Sequence, residues 1–189
     1  MSGGSVKNVE NIKLSDIMPG IKGQKHNPYI EGRYAHINKN DVVFTPDWLA
    51  KKICSMFEIG GFVLEPCKGE GVFLQHLPPN TEWCEIADGK NFYDYTKKIH
   101  WIVTNPPYSD FDRFLDHAFE LADNVVLLVP VAKIMKSMGT LKKIFNYGGI
   151  VSCHFLSGGQ AGFPFGFPVG IYHFERGYKG KTIFNLLTL

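Results

Sequence analysis

The stretch NVVLLVP, residues 124–130, constrains this chain more than any other. Val125 to Val129 are all apolar, so no alternation marks a solvent-facing side. Strands at an antiparallel surface alternate; strands of a parallel sheet, covered on both faces, do not. Helical patterns flank the run. Upstream, Phe111, Phe114, Leu115, Ala118, Phe119 and Ala122 fall on one helical face. Ser109 and Asp112 form a capping pair at its start. Downstream, KIMKSMGTLKKIFNYGG predicts one helix that stops at Gly148.

The same alternation runs through the chain. In VVFTPDWLAKKICSMF, Thr45 suits an N-cap, Pro46 the first helical position and Asp47 the positive helix end. GFVLEP is a short buried strand, followed by the turn CKGEG and a helix over VFLQHL. TEWCEI and HWIVTN are further strands, and IVSCHFL and VGIYHFER are two more, joined by SGGQAGFPFGFP. The pattern predicts an α/β fold: a mostly parallel central sheet with a C-terminal antiparallel strand pair and helices on both faces.

A length of 189 residues with 44% hydrophobic content suits one domain with a proper core. Residues 1–41 are polar and lack a sustained period, which predicts an arm that is either flexible or substrate-contacting. Residues 42–189 form the single domain. No apolar run is long enough for a bilayer, and the start lacks the apolar segment of a secretion signal. Cys54, Cys67, Cys84 and Cys153 are widely spaced, so reduced thiols, a cytoplasmic location and no metal site are expected. A net charge of +2 neither demands nor excludes a nucleic-acid partner.

Two turns carry chemistry. In LEPCKGEGVFL, Glu65 and Pro66 end a strand, and Gly69 and Gly71 open the next segment. Glycines at this spacing let the backbone approach a ligand, while Glu65 can accept hydrogen bonds from it. The third glycine of a phosphate-binding GxGxxG is absent, since Leu74 stands there, and no Walker lysine follows. In TNPPY, Pro106 and Pro107 cannot join a strand ladder and restrict the residues before them. They hold Asn105 and Tyr108 on a stiff turn with polar groups presented outward. If the two strands are parallel neighbours, both turns open onto one crevice beyond the strand ends.

At these residues the chain resembles the adenine-N6 DNA methyltransferases that use S-adenosylmethionine, in the branch where the cofactor motif precedes NPPY. The resemblance covers roughly residues 42–130. It implies a Rossmann-like class I methyltransferase fold and S-adenosylmethionine as cofactor. VVFTPDWLAKKI resembles the family helix whose start, here Thr45 and Pro46, lies against the methionine part. VLEPCKGEGVFL resembles the cofactor loop, implying that Glu65, Pro66, Gly69 and Gly71 cradle that part. CEIADGKNFYDY implies Glu85 on the ribose and Asn91 with Phe92 on the cofactor's adenine. TNPPYS implies catalysis by Asn105, Pro106, Pro107 and Tyr108. Asn91 stands where the family has Asp. Forty residues between Glu65 and Asn105 leave little room for the usual helices, so one sheet face is expected to be reduced. No separate target-recognition domain is expected, which leaves target choice to the arm, the 157–168 loop or a protein partner.

The chemistry of NPPY also follows from the residues. An adenine amine has its lone pair delocalised into the ring and is a poor nucleophile. Acceptors on its two protons, the Asn105 side-chain oxygen and the Pro106 carbonyl, return electron density to nitrogen and favour attack. Tyr108 would stack on the base, worth roughly 1–3 kcal/mol. A duplex base would have to be flipped out. Phe163, Phe165 and Phe167 either wall the pocket of such a base or plug a hairpin. Lys133, Lys136, Lys142 and Lys143 read as a solvated helix face, and His154 and His173 as structural. The alternatives are methylation of RNA adenine or of protein glutamine, or an inactive cofactor-binding partner subunit.

Overall fold

The computed structural model describes residues 43–188, so the predicted arm over 1–41 lies outside the described residues. Seven strands form one sheet: β1 (Val63–Glu65), β2 (Glu82–Trp83), β3 (Ile99–Thr104), β4 (Ala122–Pro130), β5 (Gly148–Ser157), β6 (Pro168–Arg176) and β7 (Ile183–Leu186). Their spatial order is β2-β1-β3-β4-β6-β5-β7. The β2–β1–β3–β4 pairings are parallel. β6 runs antiparallel to β4 and β5, and β7 runs parallel to β5. The α/β sheet with its antiparallel C-terminal pair is as the sequence predicts; β7 is an addition that the sequence pattern did not mark.

Among the described residues four α-helices pack on it: α1 (Asp47–Ser55), α2 (Phe111–Leu121), α3 (Val131–Ile134) and α4 (Met138–Tyr147). Successive β4 residues point to opposite faces, which explains the unalternated run. Val125, Leu127 and Val129 enter one core with Phe111, Phe114, Leu115, Ile134, Ile144 and Tyr147. Val126 and Leu128 enter the other with Leu49, Ala50, Ile53, Phe73 and Leu77. All five β4 residues are almost fully buried, and each such side chain stabilises the fold by roughly 1.5–3 kcal/mol. The second face carries α1, and the reduction expected between residues 86 and 99 is on the first face, where 3-10 turns over Ile86–Asp88 and Phe92–Asp94 stand in place of a helix and Phe92 enters the first core.

Several local expectations are corrected. The helix over VFLQHL shrinks to a 3-10 turn, Phe73–Gln75, because Pro78 and Pro79 follow at once. TEWCEI contributes two strand residues before Glu85 caps a 3-10 turn over Ile86–Asp88. The single helix over residues 133–149 breaks in two, because the Ser137 hydroxyl accepts from the Thr140 amide and starts α4 afresh. Pro46, not Thr45, is the N-cap of α1, and it makes no side-chain cap. Asp110 is the N-cap of α2, while the Asp112 carboxylate accepts from Lys136 and Thr140 of the α3–α4 segment. Lys143 likewise pairs with Asp116, so these lysines tie α4 to α2. No helix among the described residues is long and apolar enough to cross a membrane.

His173 is a packing residue, as read from its strand. It is 8% exposed, stacked on Trp101 at 5.3 Å, with Nε2 3.0 Å from Asn124 Oδ1. Burial lowers its pKa to about 4. An unfolded histidine takes up a proton near pH 6.5, so between about pH 6.5 and 4 the unfolded chain binds more protons and stability falls with acidification. His173→Gln, which keeps a donor for Asn124, lacks that slope. Urea unfolding should show the variant less stable at pH 7.5, with the gap closing by roughly 2 kcal/mol at pH 5. A gap that does not change with pH would clear His173 of this role.

Candidate active site at the strand ends

Val63 and Leu64 of β1 pair in parallel with Trp101 and Ile102 of β3. Their carboxyl ends therefore lie side by side, and the turns after Glu65 and Thr104 leave the sheet at the same edge. A direct contact joins them: Thr104 Oγ1 donates to Glu65 Oε1 at 2.5 Å. The Cys67 amide donates to the same oxygen at 3.0 Å. Glu65 is fully buried, and its second oxygen, Oε2, has no hydrogen-bond partner. A buried acceptor in this state is costly unless a ligand's donor reaches it. Burial pushes the Glu65 carboxyl up to about 8; the Thr104 and Cys67 hydrogen bonds oppose the shift, and the Glu85 charge adds to it.

The turn after Glu65 is open. Gly69 and Gly71 have φ of 52° and 81°, the left-handed region that favours glycine. A side chain at Gly69 would meet nothing within 4 Å, so the space above it is free for a ligand. The Gly69 amide donates to Glu85 Oε2 at 2.7 Å, and the Ala87 amide to Glu85 Oε1. Glu85 at the end of β2 is thus fixed beside the glycine turn. Pro66 is buried at its base.

At the second turn, Asn105 Nδ2 donates to the Val43 carbonyl at 3.0 Å and to Thr45 Oγ1 at 3.2 Å. A backbone carbonyl can only accept, so the amide nitrogen must face it. The Asn105 Oδ1 is turned the other way, buried and without a partner. Thr45 takes part as the support of this amide in place of the predicted helix cap. Pro106 is buried and Pro107 half-buried.

Other predicted residues have different settings. Tyr108 is not presented outward: it is 7% exposed and belongs to the core under α2. Asn91 Oδ1 accepts from the Tyr93 amide, capping a 3-10 turn over Phe92–Asp94. The Phe92 ring is a core element, 4.8 Å from Phe114 and 4.7 Å from His117. Phe163 is buried as a plug, Phe165 is half-buried, and Phe167 is 47% exposed and stacked on Phe165 at 3.9 Å. Their loop packs on the start of α1, since a side chain at Gly162 would come within 2.9 Å of the Pro46 ring. Thr104 and the Val43 carbonyl were missed by sequence reasoning. Thr104 carried a signal, a polar residue closing an apolar strand; Val43 carried none.

The chain matches no protein-family model and no curated protein sequence. Among solved structures it is similar to the type I restriction-modification system methyltransferase subunit from Streptococcus thermophilus, with a TM-score of 0.59 and 14% identity. That match covers 84% of this chain and 50% of that one, so the chain spans about half the subunit's length. It is also similar to a structure from Listeria monocytogenes assigned to the class I S-adenosylmethionine-dependent methyltransferases, with a TM-score of 0.57, 11% identity and coverage of 84% and 70%. The 23S rRNA methyltransferase ErmE gives a TM-score of 0.52 and 15% identity over 72% of each chain. The fold is that of the Rossmann-like class I methyltransferases.

The buried Glu65 yields a test on the ligand-free protein. Its folded pKa of about 8 lies above the ordinary value, so folding is penalised progressively as the unfolded carboxyl ionises. Stability present below about pH 4.3 is lost as pH rises to about 8. Thermal unfolding should therefore show wild type losing stability between pH 5 and 8 relative to Glu65→Gln, on the order of 3 kcal/mol. Parallel curves for the two proteins would refute a protonated Glu65.

Proposed function

We propose that this chain transfers a methyl group from S-adenosylmethionine to the N6 amine of adenine in DNA, with the base turned out of its stack. The observation that carries the reading is the Asn105 amide. Its nitrogen is locked on Val43 and Thr45, and its buried oxygen is left for a donor. An exocyclic amine supplies that donor. The residues at the β1 end fit the cofactor: Glu65 Oε2 has no protein partner, an ammonium beside it would hold the carboxyl ionised and donate to it, and the space above Gly69 is open.

In this reading Glu65 and the glycine turn hold the methionine part, and Glu85, already oriented by two backbone amides, faces the ribose. When bound, the cofactor supplies a methyl group activated by its sulfonium. The Asn105 oxygen and the Pro106 carbonyl would accept hydrogen bonds from the two amine N–H groups, which concentrates the nitrogen lone pair and stabilises the charge that develops on attack; the surplus proton of the methylated amine then leaves to water. The prolines fix both acceptors before substrate arrives, so little reorganisation is needed during the reaction. Tyr108 supports the base from the core side of the turn. Neighbouring structures are subunits of type I restriction-modification systems, so target choice through a protein partner belongs to the proposal.

The likeness to an rRNA methyltransferase keeps RNA adenine as the second reading. Incubation with labelled S-adenosylmethionine and DNA, RNA or protein, followed by nucleoside digestion, separates the two. The expected product is N6-methyldeoxyadenosine. Label in N6-methyladenosine moves the assignment to RNA, label in glutamine to protein, and no label at all to a cofactor-binding partner subunit. Asn105→Ala should lower turnover at least about 100-fold while S-adenosylhomocysteine affinity stays within twofold. Thr45→Val, which removes one of the two acceptors that hold the amide nitrogen, should lower turnover by about tenfold with the same cofactor affinity. Equal loss of binding and turnover in either variant would contradict the division of roles.

A further inference from the structure

Helix α1 buries Leu49, Ala50 and Ile53 and leaves Trp48, Lys51, Lys52 and Ser55 on its outer side. These positions follow i, i+3, i+4 and i+7, so they form one stripe. Trp48 is 40% exposed, and Phe44, just before the helix, is 58% exposed. The stripe begins at the site. Phe44 lies between Val43 and Thr45, the two residues that hold the Asn105 amide. Neither Lys51 nor Lys52 forms an ion pair among the described residues. Single exposed apolar side chains are ordinary. Two exposed aromatic residues within three positions of Thr45 in the chain, followed by two cations on one helix face that form no ion pair among the described residues, are a more specific arrangement.

We infer that this stripe is a platform for an unpaired segment of DNA flanking the target adenine. The inference rests on the proposed function and names the form of its substrate. Bases stack on Phe44 and Trp48, and the backbone phosphates follow Lys51 and Lys52 along the helix. Aromatic faces bind bases whose own faces are free, which a duplex withholds and a single strand offers. Phe and Trp side chains have no acceptor with which to read a base edge in a groove. The charge is complementary to phosphate.

The test uses the full chain with a fluorescently labelled 12-nucleotide adenine-containing DNA strand, the same sequence as RNA, and the DNA duplex. Anisotropy titrations over a salt series give affinity and its salt slope, and S-adenosylhomocysteine binding is measured in parallel. The single DNA strand should bind at least tenfold more tightly than the duplex. Trp48→Ala should weaken it about tenfold or more. Lys51→Gln with Lys52→Gln should reduce the slope of log affinity against log salt by about 1.4, the value for two phosphate contacts. Both variants should bind S-adenosylhomocysteine as wild type does, which excludes misfolding. Unchanged single-strand affinity in both variants, or a preference for the duplex, overturns the platform. Tighter binding of the RNA overturns its assignment to DNA. If the platform variants behave as expected but wild type does not bind S-adenosylhomocysteine, the methyltransferase reading fails and the platform stands. If wild type methylates adenine and the variants bind DNA unchanged, the platform alone fails.

Discussion

The hydrogen bond from Thr104 to the buried carboxyl of Glu65 ties the two halves of the site together. It spans the carboxyl ends of neighbouring parallel strands, where main-chain pairing has ended and the turns diverge. Other contacts hold each turn separately, the β1 turn on Cys84 and Glu85 and the proline turn on Val43 and Thr45. With the Thr104 bond, Glu65, the proposed cofactor contact, shares an oxygen with the residue immediately before Asn105. A buried carboxyl with one oxygen satisfied and the other bare is expensive to keep. That expense is located where a ligand would relieve it, a common property of sites as opposed to cores.

The Asn105 amide shows how a site is built from parts distant in sequence. Two prolines stiffen the turn, yet they do not decide which end of the amide faces the substrate. The Val43 carbonyl decides it, because it can only accept, and Thr45 adds a second acceptor. Residues just before the first helix, Val43 and Thr45, hold the amide, and the outer side of the helix carries Trp48, Lys51 and Lys52.

The fold reaches this arrangement with few elements. Between β1 and β3 the connections are 3-10 turns, not helices, and β2 has two residues. The backbone groups released by that economy are satisfied individually. Glu85 accepts from Gly69 and Ala87, Asn91 from Tyr93, and Glu65 from Cys67. Polar residues that a longer chain could devote wholly to a ligand here hold the backbone as well. Asn91 and Phe92 illustrate the cost: one is a cap and the other is core.

The sequence by itself determined the α/β class, since the unalternated β4 and the periodic α2 admit little else. It also marked both turns, because glycine and proline act through their own φ restrictions. It could not determine helix starts such as Ser137 and Pro46, where capping competes among several adjacent polar residues within a fraction of a kcal/mol. Nor could it place Tyr108, whose ring went into the core when α2 docked. Burial depends on what packs above a residue. The choice of partner for each buried polar atom, Thr104 for Glu65 and Val43 for Asn105, belonged to tertiary structure alone. Those contacts join residues 39 and 62 positions apart, a separation at which no local pattern carries information.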